Sequence, residues 1–319
     1  MRRIALSALI LASALIAVRP ASAVPVYVAL GDSITFGETD LRYVRSNGDR
    51  GYVGLYANFL AGRNGGVRPT VINLAIDGET ASSFMTGVGR VPPVTGRTDA
   101  VLAAENLNYD PNALISQRAN FLARVAGARA AGDSIDTVSI SLGFNDLSTA
   151  VGMPLSAVGP ILAAYRANYS SILAEIRQQL PNANLFVLNY FNPFPANPSS
   201  PAAPVFNAFG AELNEIIRGL AAQYNGAYID TFTPFVGREA EYTFLDEMPA
   251  GSSVPDPFGG TLPIGNVHPN ALGYQVIAAQ IQAVPEPASI GMFATGGLIV
   301  IAAAWRRRGD RGGSIRRDN

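Results

Sequence analysis

Cysteine is absent from the 319-residue chain, which excludes disulfides, zinc–thiolate sites and cysteine nucleophiles. Lysine is absent as well. All 23 basic residues are arginine, so lysine nucleophiles and Schiff-base chemistry are excluded too. Histidine occurs once, at His268, and any imidazole chemistry takes place there. Charged residues make up only 15% of the chain and the net charge is −1, so no bulk basic charge points to nucleic acid. Hydrophobic residues account for 48%, too many for a disordered chain. The length allows one large or two small domains with an ample core. A mean hydropathy of +0.19 is high for a soluble domain and draws attention to the two ends.

Both ends read as addresses. Residues 1–23 combine a basic start (Arg2, Arg3), an apolar stretch over 4–18 and Ala21-Ser22-Ala23. That is the layout of a secretory signal peptide, with Val24 as the first mature residue. At the other end, residues 288–305 carry no charge, a length at the lower limit for a membrane helix. Trp305 fits the interfacial aromatic position. Arg306, Arg307 and Arg308 then hold that end in the cytoplasm by the positive-inside rule, leaving the bulk of the chain outside. Val284-Pro285-Glu286-Pro287, the apolar span and the basic tail together resemble the PEP-CTERM sorting signal of Gram-negative bacteria. The resemblance covers only 284–319. It implies processing by a dedicated membrane peptidase in addition to signal peptidase. It also implies a place in the cell envelope or outside the cell, with the C-terminal helix as membrane anchor.

The stretch between the ends, 24–283, reads as one α/β domain. Residues 26–30, 70–76, 137–142, 184–190 and 227–232 are short apolar runs rich in Val, Ile and Tyr, as in a parallel sheet covered on both faces. Helical patterns over 52–63, 111–131, 155–179, 205–224 and 269–283 alternate with them. The alternation predicts a doubly wound sheet with its site at the C-terminal ends of the strands. Residues 86–108 and 247–265 are rich in Gly and Pro or irregular, and read as loops that shape a cleft.

Four segments sit where such a site would form: Gly31-Asp32-Ser33 after the first strand, Gly78 after the second, Gly143-Phe144-Asn145-Asp146 after the third, and His268-Pro269 before the last helix. Their chemistry is coherent. A serine hydroxyl needs a base as it attacks, and imidazole, with a reference pKa of about 6.5, suits. A tetrahedral oxyanion needs donors already in place. The Ser33 and Gly78 N–H groups and the Asn145 amide are three candidates. In order and placement the four segments resemble the blocks of the SGNH (GDSL) hydrolase family, over roughly residues 26–283. The resemblance implies a three-layer α/β/α sandwich with a mainly parallel five-stranded sheet. It implies Ser33 as nucleophile, Ser33, Gly78 and Asn145 as oxyanion donors and His268 as base. The activity it implies is hydrolysis of small-molecule, lipid or carbohydrate esters without metal or cofactor.

One departure stands out. The family places an aspartate three residues before the histidine, and here that position is Gly265. A backbone carbonyl near Gly265, the Asn266 side chain, or Asp246 or Asp256 from the preceding loop could orient the imidazole instead. Asp32, Asp77, Asp146 and Asp230 read as turn or capping residues. The segment 189–198 reads either as a wall of the cleft or as a rigid loop. A catalytically silent glycan-binding protein on the same fold is the alternative, and the missing aspartate is its main support.

Overall fold

The computed structural model describes residues 25–40, 49–91, 98–105, 115–244, 253–255, 261–263 and 267–284. Among them, β1 (Pro25–Gly31), β2 (Thr70–Asn73), β3 (Ser134–Ser141), β4 (Asn184–Leu188) and β5 (Ala227–Ile229) form one sheet in the order β2-β1-β3-β4-β5. Every pairing in it is parallel. At its centre Val28 pairs with Ile72 on one side and Val138 on the other. Val28, Ala29, Leu30, Val138 and Ile140 are all fully buried. Successive residues point to opposite faces, so both faces are covered, which explains the unbroken apolar runs in the sequence.

The helices are α1 (Ser33–Phe36), α2 (Gly51–Arg63), α3 (Ala81–Thr86), α4 (Asp99–Glu105), α5 (Gln117–Ala131), α6 (Phe144–Ser148), α7 (Val158–Gln179), α8 (Ala203–Gln223), α9 (Glu239–Tyr242) and α10 (Ala271–Gln282). Helices α2 and α10 pack on each other, while α3, α5, α7 and α8 form a second group. One main core runs from Val26 to Ile281, and Ile76 with Leu102 forms a small separate cluster. Tyr27 and Phe186 both meet Tyr56 edge-on, at centroid distances of 5.5 and 5.6 Å.

The five expected strands and five long helices are present, with shifted ends. Strand β3 ends one residue before its apolar run, and β2, β4 and β5 end two or three residues before theirs, where side-chain amides take over backbone groups. Asn73 Oδ1 accepts from Ala75 N and its Nδ2 donates to the Thr35 carbonyl; Asn189 Oδ1 accepts from Thr231 N. Helix α5 starts at Gln117 because Ser116 caps it through Ala119 N. Helix α10 starts after Asn270, whose Oδ1 accepts from Leu272 N and Gly273 N, as N-cap asparagines do. The two stretches read as loops contain α4 and a small antiparallel ribbon, β6 (Ser253–Pro255) with β7 (Thr261–Pro263). Elements of three to seven residues are too short to show a period. Among the described residues no helix is long and apolar enough to cross a membrane. The expected signal peptide and the span at 288–305 lie outside the described residues.

The order β2-β1-β3 sends the chain to opposite sides of β1 on successive crossovers. The C-terminal ends of β1 and β3 therefore border a topological switch point, where open α/β sheets form their binding crevices. Helix α10 is set against this edge by a close approach. A Cβ on Gly273 would lie 2.2 Å from the Tyr242 carbonyl oxygen and 2.9 Å from Pro269 Cβ. Gly273→Ala is expected to cost about 1–3 kcal/mol through overpacking. Urea unfolding measures it, and a midpoint equal to that of wild type would refute the close fit.

Candidate active site

Strand β1 ends in a turn that only glycine can make at Gly31. Its φ is +136°, and a Cβ would lie 2.2 Å from the Ser141 carbonyl oxygen. Asp32 follows in an extended conformation and caps α1 through Ile34 N at 3.1 Å. Its own N–H donates to the Ser141 carbonyl at 3.2 Å. Ser33 is thus the first residue of a four-residue helix closed by Gly37 in the left-handed region. The first N–H groups of a helix have no intrahelical acceptor. Among the described residues the Ser33 N–H has no protein partner, and neither has that of Gly78.

Gly78 has φ +70°, and a Cβ there would lie 2.2 Å from the Val91 carbonyl oxygen. The Val91 N–H donates to the Gly78 carbonyl at 2.8 Å. The turn after β3 is stapled to this segment twice. Asn145 Nδ2 donates to the Glu79 carbonyl at 3.0 Å, and both Asp146 oxygens accept from Ala81 N at 3.1 and 3.0 Å. An amide nitrogen carries two hydrogens, so Asn145 keeps a second donor. Tyr165 supports the turn from below, its hydroxyl donating to the Leu142 carbonyl at 2.7 Å.

His268 lies 235 positions from Ser33 in the chain, yet its Nε2 is 2.6 Å from Ser33 Oγ. The residues around it fix this placement. Phe244 N donates to the His268 carbonyl, and Asn270 N donates to the Tyr242 carbonyl. Thr39, six residues past Ser33, donates to the Pro269 carbonyl at 2.5 Å. The serine turn and the histidine loop are therefore tied directly, apart from the Ser33–His268 contact. Burial pushes the imidazole down to about 4. At neutral pH the ring is uncharged, and in the tautomer with its hydrogen on Nδ1 it accepts a hydrogen bond from the Ser33 hydroxyl.

The candidates for orienting the ring, namely the Gly265 carbonyl, Asn266, Asp246 and Asp256, lie outside the described residues. Asp230 accepts from Phe232 N, Thr233 N and Thr233 Oγ1, and so holds the turn after β5. Among the described residues no group of acidic and histidine side chains could hold a metal ion.

Tyr190 is a contributor that its sequence position does not reveal. Its hydroxyl donates to Asp32 Oδ2 at 2.6 Å from beneath the serine turn. Phe194, in the same segment, lies 6.4 Å from the Phe144 ring in the turn after β3. Tyr190, Phe191 and Phe194 are all buried, so this segment supports the site from inside. The one signal in the sequence was the density of aromatics in 189–198.

Residues 29–276 match the GDSL-like lipase/acylhydrolase family, and residues 283–308 match the PEP-CTERM protein-sorting motif. Solved structures with a similar fold include a lipase from a goat rumen metagenome (21% identity, 81% of this chain and 96% of that chain, TM-score 0.52). Phospholipase A1 from Streptomyces albidoflavus NA297 is another (20% identity, 82% and 99%, TM-score 0.50). No curated protein matches the chain.

Burial pushes the Asp32 carboxyl up to about 7, against the opposing pull of its bonds from Tyr190 and Ile34. Asp146 is raised by burial to about 7 as well. The unfolded chain loses such protons near 3.9, so between about pH 4 and 7 the folded state binds more protons. Stability contributed by these groups therefore falls as pH rises through that window. Asp32→Asn removes one of the two titrations. Relative to wild type, its unfolding free energy is expected to improve between pH 5 and pH 8. The same offset at both values in urea titrations would refute the assignment.

Proposed function

Because the chain belongs to the GDSL-like lipase/acylhydrolase family and so acts as a hydrolase of ester bonds, we propose that Ser33 is its nucleophile and His268 its base. The observation that carries the reading is the 2.6 Å contact between Ser33 Oγ and a buried imidazole. As Oγ bonds to the ester carbonyl carbon, its proton passes to Nε2. The carbonyl oxygen becomes an oxyanion facing the Ser33 and Gly78 N–H groups and the free hydrogen of Asn145 Nδ2. Donors fixed in advance lower the barrier because nothing need reorient as charge develops. The intermediate collapses when Nε2 returns the proton to the leaving alcohol. This gives an acyl ester on Ser33, which water hydrolyses with His268 again as base. No cofactor enters the scheme.

The imidazolium formed in transit needs an acceptor at Nδ1. A neutral acceptor still fixes tautomer and orientation, which is the main service of a triad acid. The silent glycan-binding alternative has no use for a serine hydroxyl held against an imidazole. The sorting motif at 283–308 marks the chain for export to the envelope or beyond. We propose removal of 1–23, an exported hydrolase domain over 24–283, and a membrane-held tail over 284–319. The substrate class is acyl esters of lipids or carbohydrates.

The primary test is hydrolysis of a short-chain chromogenic ester by the purified protein. Ser33→Ala is expected to lower turnover by about 1,000-fold or more and to abolish labelling by a fluorophosphonate. Equal turnover in the two proteins would overturn the assignment. The acid limb of kcat/KM is expected well below pH 6.5, near the His268 value of about 4, because this ratio reports the free enzyme's base. A limb at 6.5 or above would contradict a buried, neutral imidazole.

A further inference from the structure

Two segments that carry the proposed catalytic groups meet at a buried side chain for which the scheme above has no use. Gln117 is the first residue of α5 and is fully buried. Its Oε1 accepts the Gly31 N–H at 2.7 Å, and its Nε2 donates to the Gly31 carbonyl at 2.9 Å. It pairs with the end of β1 as a neighbouring strand would, two residues before Ser33. Nε2 also donates to Glu79 Oε2 at 3.0 Å. Glu79 follows Gly78, and its backbone carbonyl receives Asn145 Nδ2. One carboxamide therefore joins the serine turn to the segment that bears the oxyanion donors.

The far side of this link is anchored. Glu79 accepts from Ser83 Oγ at 2.5 Å and Arg90 Nη2 at 3.3 Å. Arg90 Nε lies 3.2 Å from the other carboxylate oxygen, and both side chains are fully buried. Arg90 in turn donates to the carbonyls of Gly87, Asp99 and Ile115. The near side is anchored by Ile76 N, which donates to the same Gly31 carbonyl at 3.1 Å. An apolar side chain of equal volume could fill the space. Only a carboxamide offers an acceptor to Gly31 together with donors to both Gly31 and Glu79.

We propose that Gln117 is a positioning residue of the hydrolase, its carboxamide setting the spacing between the Ser33 turn and the Gly78–Asn145 donors. The inference rests on the serine-hydrolase reading. Misplacement by about 1 Å in such an arrangement costs about 100-fold in rate.

The test compares wild type, Gln117→Met and Gln117→Glu as purified full chains. kcat and KM for a short-chain chromogenic ester are measured at pH 5 and pH 8, and the folded fraction is fixed by circular dichroism. The methionine fills the volume without either bond. Its kcat per folded molecule is expected to fall by about 100-fold, with KM nearly unchanged. The glutamate variant supplies a built-in rescue. Protonated, it can accept from Gly31 N–H and donate to Glu79. Ionised, it opposes Glu79 directly, with Asp32 and Asp146 adding like charge nearby. Among the described residues Arg90 is the one cation against Glu79, and Arg118, next to Gln117 on α5, is paired with Glu175. Its kcat relative to wild type is therefore expected to be higher at pH 5 than at pH 8. Folded variants with wild-type kcat at both values would overturn the inference. So would a loss confined to unfolding free energy, or failure of both variants to fold, which would make the amide a folding element only. An inactive wild type would overturn the serine-hydrolase reading and this inference together, a result distinct from active variants beside an active wild type.

Discussion

The close approach of Gly31 to the Ser141 carbonyl is the constraint from which the site is built. With 2.2 Å between that oxygen and where a Cβ would stand, β1 and β3 touch at their ends with no side chain between them. The chain leaving β1 must turn at once, and Asp32 makes the turn by donating to the same carbonyl and capping α1. Ser33 is then the first residue past the sheet edge, at the switch point between the two crossovers.

Around this point the fold repeats one device. Beyond a strand's end, backbone groups have no neighbouring strand, and leaving them buried and unpaired costs about 1–3 kcal/mol each. Carboxamides fill the gap because they carry donor and acceptor together and no charge. Gln117 pairs both backbone groups of Gly31, and Asn214 pairs both of Tyr190. Asn73 and Asn189 serve the turns after β2 and β4. Buried carboxyls are used where two loops must be tied. Burial raises Asp32 and Asp146 to about 7, so each tie costs stability once ionised. That cost falls next to the proposed catalytic groups, where alignment matters most.

Much of this was legible in the chain itself. Two-sided burial leaves continuous apolar runs, so all five strands could be read, and the long helices followed from their period. The four segments stood out because, in order, each after a strand or before the last helix, they resemble the blocks of the SGNH (GDSL) family; singly, such residues are ordinary at turns and caps. The ends of β2, β4 and β5 were misplaced because the apolar run outlasts the pairing. Helix α4 and the β6–β7 ribbon fall in segments too short and too rich in Gly and Pro to show a pattern. Gln117, Tyr190 and Thr39 passed unnoticed for a common reason. Each acts through a partner more than 80 positions away, and local sequence carries no trace of such a contact.

By itself, then, the sequence determined the class of fold, the family blocks and the single imidazole available, because composition and period are local properties. The absence of cysteine and lysine narrowed the chemistry on the same local grounds. Tertiary structure alone decided that His268 meets Ser33 across 235 positions, that the ring is buried and neutral, and that Asn145 is held against Glu79. Those outcomes depend on which loops share one sheet edge and how much water that edge excludes. Both are set by the order of the strands and the packing of α10, which only the folded chain specifies.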